Sequence, residues 1–376
     1  MLTLCAFAAA VMWVGLLLLP WQPWSTRESL HAAPGDAASD FGDITALIPA
    51  RDEAGCIADT LRALAAQGRL ARIVLIDDQS SDGTGDIARA LGIENLEVVA
   101  GSNPPPGWSG KLWALHQGLE QVSSSRVLLL DADIQLAPGA LAALATRMAS
   151  EGLTLASVMA TLHMGNAWEK LLLPPFIFFF KLIYPFALAN RPGSRIAAAA
   201  GGCILLETAA LRGIGGFAAL HDAIIDDCTL ARRIKQAGGT TWLGLSRDVC
   251  AIRPYETLDN IWNMVARSAF TQLRYSTPLL VLCTVLLLVS FVAPVLGVLR
   301  GGPVGFLAGL VALGAMARAY LPTVRYYALH GAWTATLPLA ACLFLAMTWH
   351  SAIRYWSGER SRWKNRSYER APGDGR

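Results

Sequence analysis

The stretch Val127-Leu128-Leu129-Leu130-Asp131-Ala132-Asp133 carries the strongest indication of fold and chemistry in this chain. Its apolar residues predict a buried strand, which delivers two carboxylates, two residues apart, to the edge of a sheet. Hard divalent cations such as Mg²⁺ and Mn²⁺ prefer oxygen ligands and are commonly held between one or two carboxylates and substrate phosphates. By itself the pattern is equally typical of a loop with two solvated acids, so the rest of the chain has to decide.

The composition indicates a membrane protein. Of the 376 residues, 54% are hydrophobic and only 16% are charged, whereas about a quarter are charged in an ordinary soluble domain. A helix that crosses the hydrocarbon core needs roughly 20 apolar residues. Segments close to that length occur at residues 2–19, 277–299, 304–321 and 333–353. We therefore expect an N-terminal transmembrane anchor over residues 1–20 and C-terminal transmembrane helices over residues 276–353.

The N-terminal apolar segment is also compatible with a signal peptide. It has no Lys or Arg in its first residues, however, and no clear small-residue cleavage site follows it. Trp21 and Trp24 suit a membrane interface. We expect a retained anchor, followed by a linker over residues 21–41.

Charge and cysteine content exclude several classes of protein. A net charge of +3 gives no indication of nucleic-acid binding. Seven scattered cysteines without a C-x-x-C pair indicate neither a disulfide framework nor a zinc site. The tail at residues 354–376 is basic, so we expect it to be cytoplasmic, where it either contacts anionic headgroups or serves solubility alone.

The segment at residues 42–275 has the pattern of one α/β domain. Strands and helices are expected to alternate at residues 44–49, 54–67, 72–76, 85–91 and 96–99. This alternation predicts a largely parallel sheet, and the strand at 44–49 is expected to be broken by Pro49. Ligands in such sheets bind outside the carboxyl ends of the strands.

Two acidic pairs, Asp77/Asp78 and Asp131/Asp133, are expected at such ends, on neighbouring strands. Carboxylates this close repel one another unless a cation or hydrogen-bond donors occupy the site. The first pair suits a ribose or base, and the second suits a metal that bridges a diphosphate. A dinucleotide-binding domain is excluded, because Pro49-Ala50-Arg51-Asp52-Glu53 follows the first strand where G-x-G-x-x-G is required.

Two further charged positions begin predicted helices. Lys111, after Trp108-Ser109-Gly110, either neutralises a phosphate or is an exposed residue at a capped helix start. Asp226 and Asp227 lie in the stretch Ile224–Ile234, which is expected to open a helix. A negative charge in the first turn of a helix interacts favourably with the helix dipole. This effect accounts for the presence of one carboxylate better than for the presence of two. The other interpretation is a general base within reach of a substrate hydroxyl.

In this order, the motifs resemble those of family 2 glycosyltransferases with the GT-A fold. The resemblance covers residues 44–275 and rests on Ile48-Pro49-Ala50-Arg51-Asp52-Glu53, Asp77-Asp78 with Ser80-Ser81-Asp82-Gly83-Thr84, Asp131-Ala132-Asp133, and Asp226-Asp227. The anchor, the segment Gly107-Trp108-Ser109-Gly110-Lys111 and the C-terminal apolar block are similar to the hopene-associated branch, and ceramide glucosyltransferase is related. The implied fold is α/β, a Rossmann-like nucleotide-diphospho-sugar transferase domain joined to transmembrane helices.

The resemblance assigns roles to individual residues. Asp227 matches the catalytic base, and Asp226 stands where the family usually has Glu. Asp131 and Asp133 match the metal and diphosphate motif, which implies Mg²⁺ or Mn²⁺ as cofactor. The remaining donor-binding positions are Pro49, Arg51, Glu53, Asp78 and Lys111.

The resemblance also predicts donor, acceptor and location. It implies an inverting transfer from a nucleotide sugar, most simply a UDP-sugar, to a lipid hydroxyl, in hopanoid or related lipid synthesis. The alternatives are a processive polysaccharide synthase and a non-catalytic nucleotide-sugar-binding protein. Gln272 and Arg274 correspond to a Gln-x-x-Arg-Trp motif that is one residue shorter here. Together with Asp226 they are predicted to contact the acceptor or the diphosphate.

The membrane topology is not consistent with every apolar segment crossing. We expect a multi-pass protein of the inner membrane with its catalytic domain in the cytoplasm. Three C-terminal spans would then leave the basic tail outside, against the positive-inside tendency. One segment is therefore expected to be re-entrant or interfacial, and residues 304–321 are the weakest span. Residues 168–190, with two prolines and two lysines, are expected at the interface, the alternative being a buried helix.

Overall fold

The structure is a computed structural model that describes residues 1–32, 39–363 and 366–369. It divides into two compact units. The sheet unit comprises Glu28–His163, Leu188–Arg253 and the described residues from Arg362 onward. The helical unit comprises Met1–Arg27, Met164–Ala187 and Pro254–Ser361. Part of the segment predicted as one catalytic domain, residues 164–187 and 254–275, therefore groups with the helical unit. Residues 364–365 and 370–376 of the predicted tail lie outside the described residues.

The elements alternate in the first two thirds of the chain and are helical in the last third. The strands are β1 (Ser29–Leu30), β2 (Ser39–Ala50), β3 (Gly68–Asp77), β4 (Leu96–Ala100), β5 (Arg126–Leu130), β6 (Ile134–Leu136), β7 (Leu155–Thr161), β8 (Cys203–Glu207), β9 (Thr241–Ala251), β10 (Glu359–Trp363) and β11 (Arg366–Glu369). The α-helices are α1 (Leu2–Leu18), α2 (Ile57–Ala65), α3 (Thr84–Ala90), α4 (Gly110–Leu119), α5 (Ala140–Ser150), α6 (Ala167–Ile183), α7 (Phe186–Ala189), α8 (Thr208–Gly213), α9 (Asp226–Gln236), α10 (Leu258–Ala266), α11 (Ala269–Gln272), α12 (Thr277–Leu287), α13 (Ala293–Arg300), α14 (Gly302–Tyr326) and α15 (Leu337–Trp356).

The main sheet is mixed. Its strand order is β1-β9-β7-β8-β5-β2-β3-β4, and β6 pairs with β9. Strand β8 runs antiparallel to both β5 and β7, whereas the other neighbours along this order are parallel. The α/β prediction is confirmed, with one reversed strand in the middle of the sheet.

The two acidic strand ends are not neighbours, so that prediction was wrong. Strand β2 lies between β3 and β5, and its Ala46 pairs with Ile73 on one side and Leu128 on the other. The first strand of the domain is thus central, and residues that follow β2 lie between the two acidic pairs.

Strand β2 also continues through Pro49, against the prediction that proline breaks it. Pro49 pairs with Ile76 of β3, while the pairing of β2 with β5 already ends at Leu47. Proline is tolerated at such a position because its missing N–H is not needed by the β5 ladder. A smaller departure is β1, which forms within the predicted linker. Gly216–Leu220 forms a 3₁₀ turn.

The sheet is covered on both faces, as its apolar strands predict. Alternate residues of β3 enter different cores: Ile73 faces the layer of α2, α3 and α5, and Val74 faces the layer of α4, α8 and α9. Because both faces are buried, the carboxyl edge of the strands is the part of the sheet left for a ligand.

Three segments of the helical unit are long and apolar enough to cross a membrane: Thr277–Arg300, Gly302–Tyr326 and Gly331–Trp356. They match the three predicted C-terminal segments. Helix α1 has 17 residues and is shorter than these. Its Trp13 indole donates to the Ser290 carbonyl (2.8 Å), so α1 packs against the C-terminal helices.

Helix α6 covers most of the segment that was predicted to be interfacial. Phe178 and Lys181 in it are buried, and the Lys181 ammonium donates to the Trp24 carbonyl and the Thr323 hydroxyl (3.3 Å each). Trp168 and Ile183, near its ends, are exposed. Its middle is therefore part of the core of the helical unit, as in the buried-helix alternative.

Candidate active site

A cleft in the sheet unit lies at the carboxyl edge of β2 and β5. It has about 340 Å³ of empty space, part of it open to solvent. Helices α4 and α9 both begin at this cleft, so the predicted phosphate-neutralising lysine and the predicted base reach it from two sides. It is lined by Pro49, Lys111, Leu112, Leu115, Leu129, Leu130, Asp131, Gly201, Ile204, Phe217, Leu220, Asp226, Asp227 and Leu230.

Lys111 and Asp131 form an ion pair in this cleft, with Nζ and Oδ1 2.6 Å apart. Lys111 is held at the start of α4, where the Ser109 hydroxyl caps the helix by accepting from the Leu112 N–H. Burial raises the pKa of Asp131, and Lys111 opposes that rise. Burial alone would lower the pKa of Lys111, but the surrounding carboxylates, Asp131 foremost, raise it instead. Lys111 is thus a fixed positive charge among acids.

Asp227 has the environment of a general base. Its carboxylate accepts from the backbone N–H of Gly201 (2.9 Å) and of Cys228 (2.7 Å). Burial, followed by the neighbouring charge of Asp226, raises the pKa of Asp227 to about 6. A carboxylate with a pKa close to the working pH accepts a proton more readily than one of ordinary acidity.

The second acid of the Asp131/Asp133 pair is held by a residue that sequence reasoning missed. Arg253 Nε lies 3.3 Å from Asp133 Oδ2, and Arg253 Nη2 also bonds to the Glu53 carboxylate. Glu53 is 8% exposed and is already paired with Arg253. Binding of the donor by Glu53, as predicted, would have to replace or share this buried ion pair. Arg253 follows β9, and its position depends on the antiparallel pairing of β6 with β9. No short motif in the sequence indicates that pairing.

Arg51 and Asp78 meet at the carboxyl edge of β2 and β3. The Arg51 guanidinium donates to the Asp78 carbonyl (2.5 Å) and lies 3.8 Å from its carboxylate. Asp78 is only 1% exposed. The structure therefore brings together two of the predicted donor-binding residues, with Arg51 placed between the two acidic pairs by the central position of β2.

The loops that follow β2 and β3 are joined by hydrogen bonds. Asp82 accepts from Ala54 N–H (2.9 Å), Thr84 N–H (3.0 Å) and the Thr84 hydroxyl (2.5 Å). These bonds outweigh burial and hold the pKa of Asp82 below its usual value. Three further bonds link the loops: Asp52 N–H to Ser80 Oγ, Ser81 N–H to Asp52 Oδ1, and Glu53 N–H to Thr84 Oγ1.

Gln272 and Arg274 belong to the helical unit, unlike the residues of the cleft. The Gln272 amide exchanges hydrogen bonds with the Tyr184 hydroxyl (2.8 and 3.1 Å). Arg274 and Tyr275 both have positive φ, at 52° and 55°, in the turn before α12. The structure gives these two residues a local role in the helical unit.

Asp131, which lines the cleft, and Asp133, two residues further along the chain, offer a divalent cation two carboxylates. Among the described residues, no group of three or more His, Cys, Asp or Glu side chains is placed to hold a metal ion. Asp131 and Asp133 supply hard oxygen ligands, which suit Mg²⁺ or Mn²⁺ when phosphates and water complete the coordination. Their present partners, Lys111 and Arg253, show that the pair attracts positive charge.

The fold of the domain is now defined. A mixed α/β sheet with an acidic cleft at its carboxyl edge, in a chain with three long apolar helices, is the GT-A glycosyltransferase fold, as predicted. The family model for glycosyl transferase family 2 matches residues 45–215. Asp226 and Asp227 lie beyond the matched residues.

Comparison with solved structures agrees on the fold. A mannosyltransferase from Pyrobaculum calidifontis, solved in complex with GDP-Man and Mn²⁺, superposes with a TM-score of 0.57 and 19% sequence identity. The match covers 96% of this chain and 100% of that protein.

Curated relatives match a shorter part of the chain. A 4,4'-diaponeurosporenoate glycosyltransferase from Staphylococcus haemolyticus is 32% identical over 93 residues, which is 25% of this chain and 24% of the relative. The corresponding protein from Staphylococcus aureus strain USA300 is 31% identical over 91 residues, 24% of each chain. The chain thus matches about a quarter of the length of these relatives.

Proposed function

We propose that this protein is a membrane-bound inverting glycosyltransferase that moves a sugar from a nucleotide-sugar donor to a lipid hydroxyl. The observation that carries the proposal is the convergence of Lys111, Asp131 and Asp227 in one cleft of a family 2 glycosyltransferase domain. A displacement at a sugar diphosphate requires positive charge beside the departing diphosphate and a carboxylate that can act as base. Lys111 and the acids Asp131 and Asp227, which lie in different environments, provide such groups.

Asp227 is the proposed base. It takes the proton of the acceptor hydroxyl, and the oxygen then bonds to the anomeric carbon from the face opposite the nucleotide. The bond from that carbon to the diphosphate oxygen breaks, and its electron pair leaves with the nucleoside diphosphate. A single displacement of this kind inverts the anomeric centre. The N–H groups of Gly201 and Cys228 hold the carboxylate in place for this step.

Asp131 and Asp133 are the proposed ligands of Mg²⁺ or Mn²⁺. The ion, when bound, supplies Lewis-acid stabilisation of the charge on the departing diphosphate. Lys111 lies beside Asp131 and adds a second positive charge at that place. The Pyrobaculum mannosyltransferase, which shares the fold, was solved with a nucleotide sugar and Mn²⁺, and this supports the assignment.

Arg51, Asp78 and Pro49 form the proposed recognition site for the base and ribose of a UDP-sugar. Asp78 is buried at the end of β3, and Arg51 fixes it. Buried polar groups of this kind discriminate strongly between nucleotides, because the wrong base leaves them without partners.

A lipid acceptor and an inner-membrane location with a cytoplasmic catalytic domain complete the proposal. The three long apolar helices support membrane association. The Staphylococcus relatives, whose name makes 4,4'-diaponeurosporenoate the molecule that is glycosylated, support an apolar acceptor. A hopanoid or related lipid is proposed as that acceptor on the basis of the sequence resemblance.

The test uses the full-length protein in vesicles of host lipid, with labelled UDP-sugars and Mg²⁺ or Mn²⁺. We expect label in the lipid extract and a sugar mass added to one lipid by mass spectrometry. Asp227→Asn should lower turnover about 10²–10⁴-fold, because the base is lost, while donor binding measured by calorimetry stays unchanged.

The contrary outcomes are separable. Near-wild-type turnover in Asp227→Asn would remove that residue from the role of base. Label in a water-soluble polymer would indicate a polysaccharide synthase. Donor binding without turnover, under any donor and lipid extract, would indicate a binding protein.

A further inference from the structure

The long helices of the helical unit have two distinguishable ends. Helices α13 and α14 form a tight antiparallel hairpin through Gly301, because a methyl group on Gly309 would lie only 2.5 Å from the Pro294 carbonyl. The Thr3 hydroxyl donates to the Gly301 carbonyl (3.1 Å), so α1 begins at the same turn. We call this turn the far end. The near end is the opposite one, where α12 begins at Thr277 and α14 ends at Tyr326.

The segment Gly331–Trp356, which contains α15, begins at the near end. Only four residues separate Tyr326 from Gly331, and a methyl group on Gly331 would lie 3.6 Å from the Leu321 side chain. Leu337 then shares a buried cluster with Tyr320 and Val324 in the last turns of α14. The chain thus turns back along the end of the helix it has just left.

The same segment also ends at the near end. The Trp349 indole donates to the Thr284 hydroxyl (3.0 Å), and Ala352 packs with Leu280 and Phe270. Tyr355 stacks on Tyr275, with ring centroids 4.2 Å apart. The other contacts of this stretch, Ser351 with Phe270 and Arg354 with Asn263, are also with residues that precede or begin α12.

The length of an α-helix shows that the contacts of α15 differ from those of a helix that crosses the membrane. A straight α-helix of the 20 residues of α15, Leu337–Trp356, rises about 30 Å at roughly 1.5 Å per residue, so a membrane-crossing α15 would end towards the far end. Thr284, which Trp349 contacts, is only about 10 Å along α12 from Thr277 by the same rise. We propose that α15 does not span the membrane: the chain crosses at α1, α12–α13 and α14, whereas α15, an unbroken helix, begins and ends on the near side.

The distribution of basic residues supports this topology. The far-end turn carries Arg300, whereas Arg274, Arg325 and Arg354 lie at the near end. By the positive-inside tendency the near side is cytoplasmic. The chain that follows Trp356 then starts on that side. The conflict in the sequence-based topology is removed, with α15 rather than residues 304–321 as the segment that does not cross.

The experiment locates three points of the full-length chain in a Gram-negative host. A C-terminal fusion to green fluorescent protein or to alkaline phosphatase reports the side of the tail. The same short epitope is inserted, in separate variants, at the far-end turn after Arg300 and in the exposed turn at Gly92 of the sheet unit. We expect a fluorescent tail without phosphatase activity, an epitope at Arg300 reached by antibody in intact cells, and an epitope at Gly92 reached only after permeabilisation.

Each other result overturns the inference. An active phosphatase with Gly92 still protected means that α15 crosses the membrane. Protection of the Arg300 epitope together with the tail means that the hairpin of α13 and α14 does not cross. Donor and acceptor activity play no part in these readouts, so failure here leaves the proposed function standing, and the reverse also holds.

Discussion

At the scale of single residues, the acidity of Asp227 sets an expected pH dependence. The carboxylate acts as a base only when it is ionised, and its pKa is raised to about 6, by burial first and Asp226 second. We expect kcat/KM to be constant above about pH 7 and to fall tenfold per pH unit well below pH 6, since protonated Asp227 accepts no proton. Initial rates between pH 4.5 and 8.5 at fixed metal concentration test this.

The variant Asp226→Asn tests whether protonation of Asp227, rather than a general effect of low pH on the protein, causes the fall in kcat/KM. It removes the neighbouring charge that raises the pKa of Asp227, so the acid limb of the profile should move to lower pH. Asp86→Asn, at an exposed acid on α3 that pairs with Arg89, should leave the profile in place. An unmoved limb in Asp226→Asn would show that another group titrates.

Arg253 is expected to limit metal affinity. Its guanidinium lies 3.3 Å from Asp133 and occupies a position beside this carboxylate where a divalent cation would also bind. Arg253→Gln should therefore tighten Mn²⁺ binding several-fold in the absence of donor, measured by titration calorimetry. Arg72→Gln, which breaks an exposed pair with Glu97, is the matched control and should change nothing. Weaker binding in Arg253→Gln would mean that the arginine orders Asp133 for the metal.

At the scale of elements, Asp82 joins the loops after β2 and β3. Asp82→Ala leaves the N–H groups of Ala54 and Thr84 without their acceptor. Losing such bonds costs about 1–3 kcal/mol, so we expect a lower melting temperature and a higher KM for donor with little change in kcat. Asp86→Ala, four residues along on the exposed face of α3, should stay within about 0.5 kcal/mol of wild type. Equal effects in both variants would contradict a role for the loop pair.

Elements that depend on neighbouring residues could be predicted from the sequence, whereas arrangements that depend on distant residues could not. Helices α4 and α9, and strand β5 with its Asp131, are encoded by short apolar patterns and the polar residues beside them. The order of the strands is not local. The insertion of β2 between β3 and β5 and the reversal of β8 both depend on pairings across the sheet. This is why the sequence pointed to Lys111 and Asp227, which both line the cleft, and did not point to Arg253.

At the scale of the whole molecule, the sequence indicated a membrane protein but not the composition of its units. Apolar length identified the three long C-terminal helices. It did not show that residues 164–187 and 254–275 group with those helices, because that grouping depends on buried contacts such as Lys181 with Thr323. No repeating pattern of residues in the sequence predicts a polar contact of this kind inside an apolar bundle.

Close packing of small residues holds the helical unit together, and this can be tested with one methyl group. A Cβ at Gly309 would lie 2.5 Å from the Pro294 carbonyl and 2.9 Å from the Val298 N atom, both backbone groups that cannot move aside alone. Gly309→Ala should therefore force α13 and α14 apart, at a cost of about 1–3 kcal/mol. The measurement is thermal unfolding of the detergent-solubilised protein, which should melt several degrees lower.

Gly314, five residues along the same helix, provides the matched control. A Cβ there meets nothing within 4 Å, and alanine is the better helix former by about 1 kcal/mol. Gly314→Ala should therefore melt at the wild-type temperature or slightly above it. The proposed donor site is formed by residues of the sheet unit, so donor binding should be unchanged at 25 °C in both variants. If both melt alike, the close approach at Gly309 does not hold the hairpin, and the antiparallel packing from which the topology is inferred loses its support.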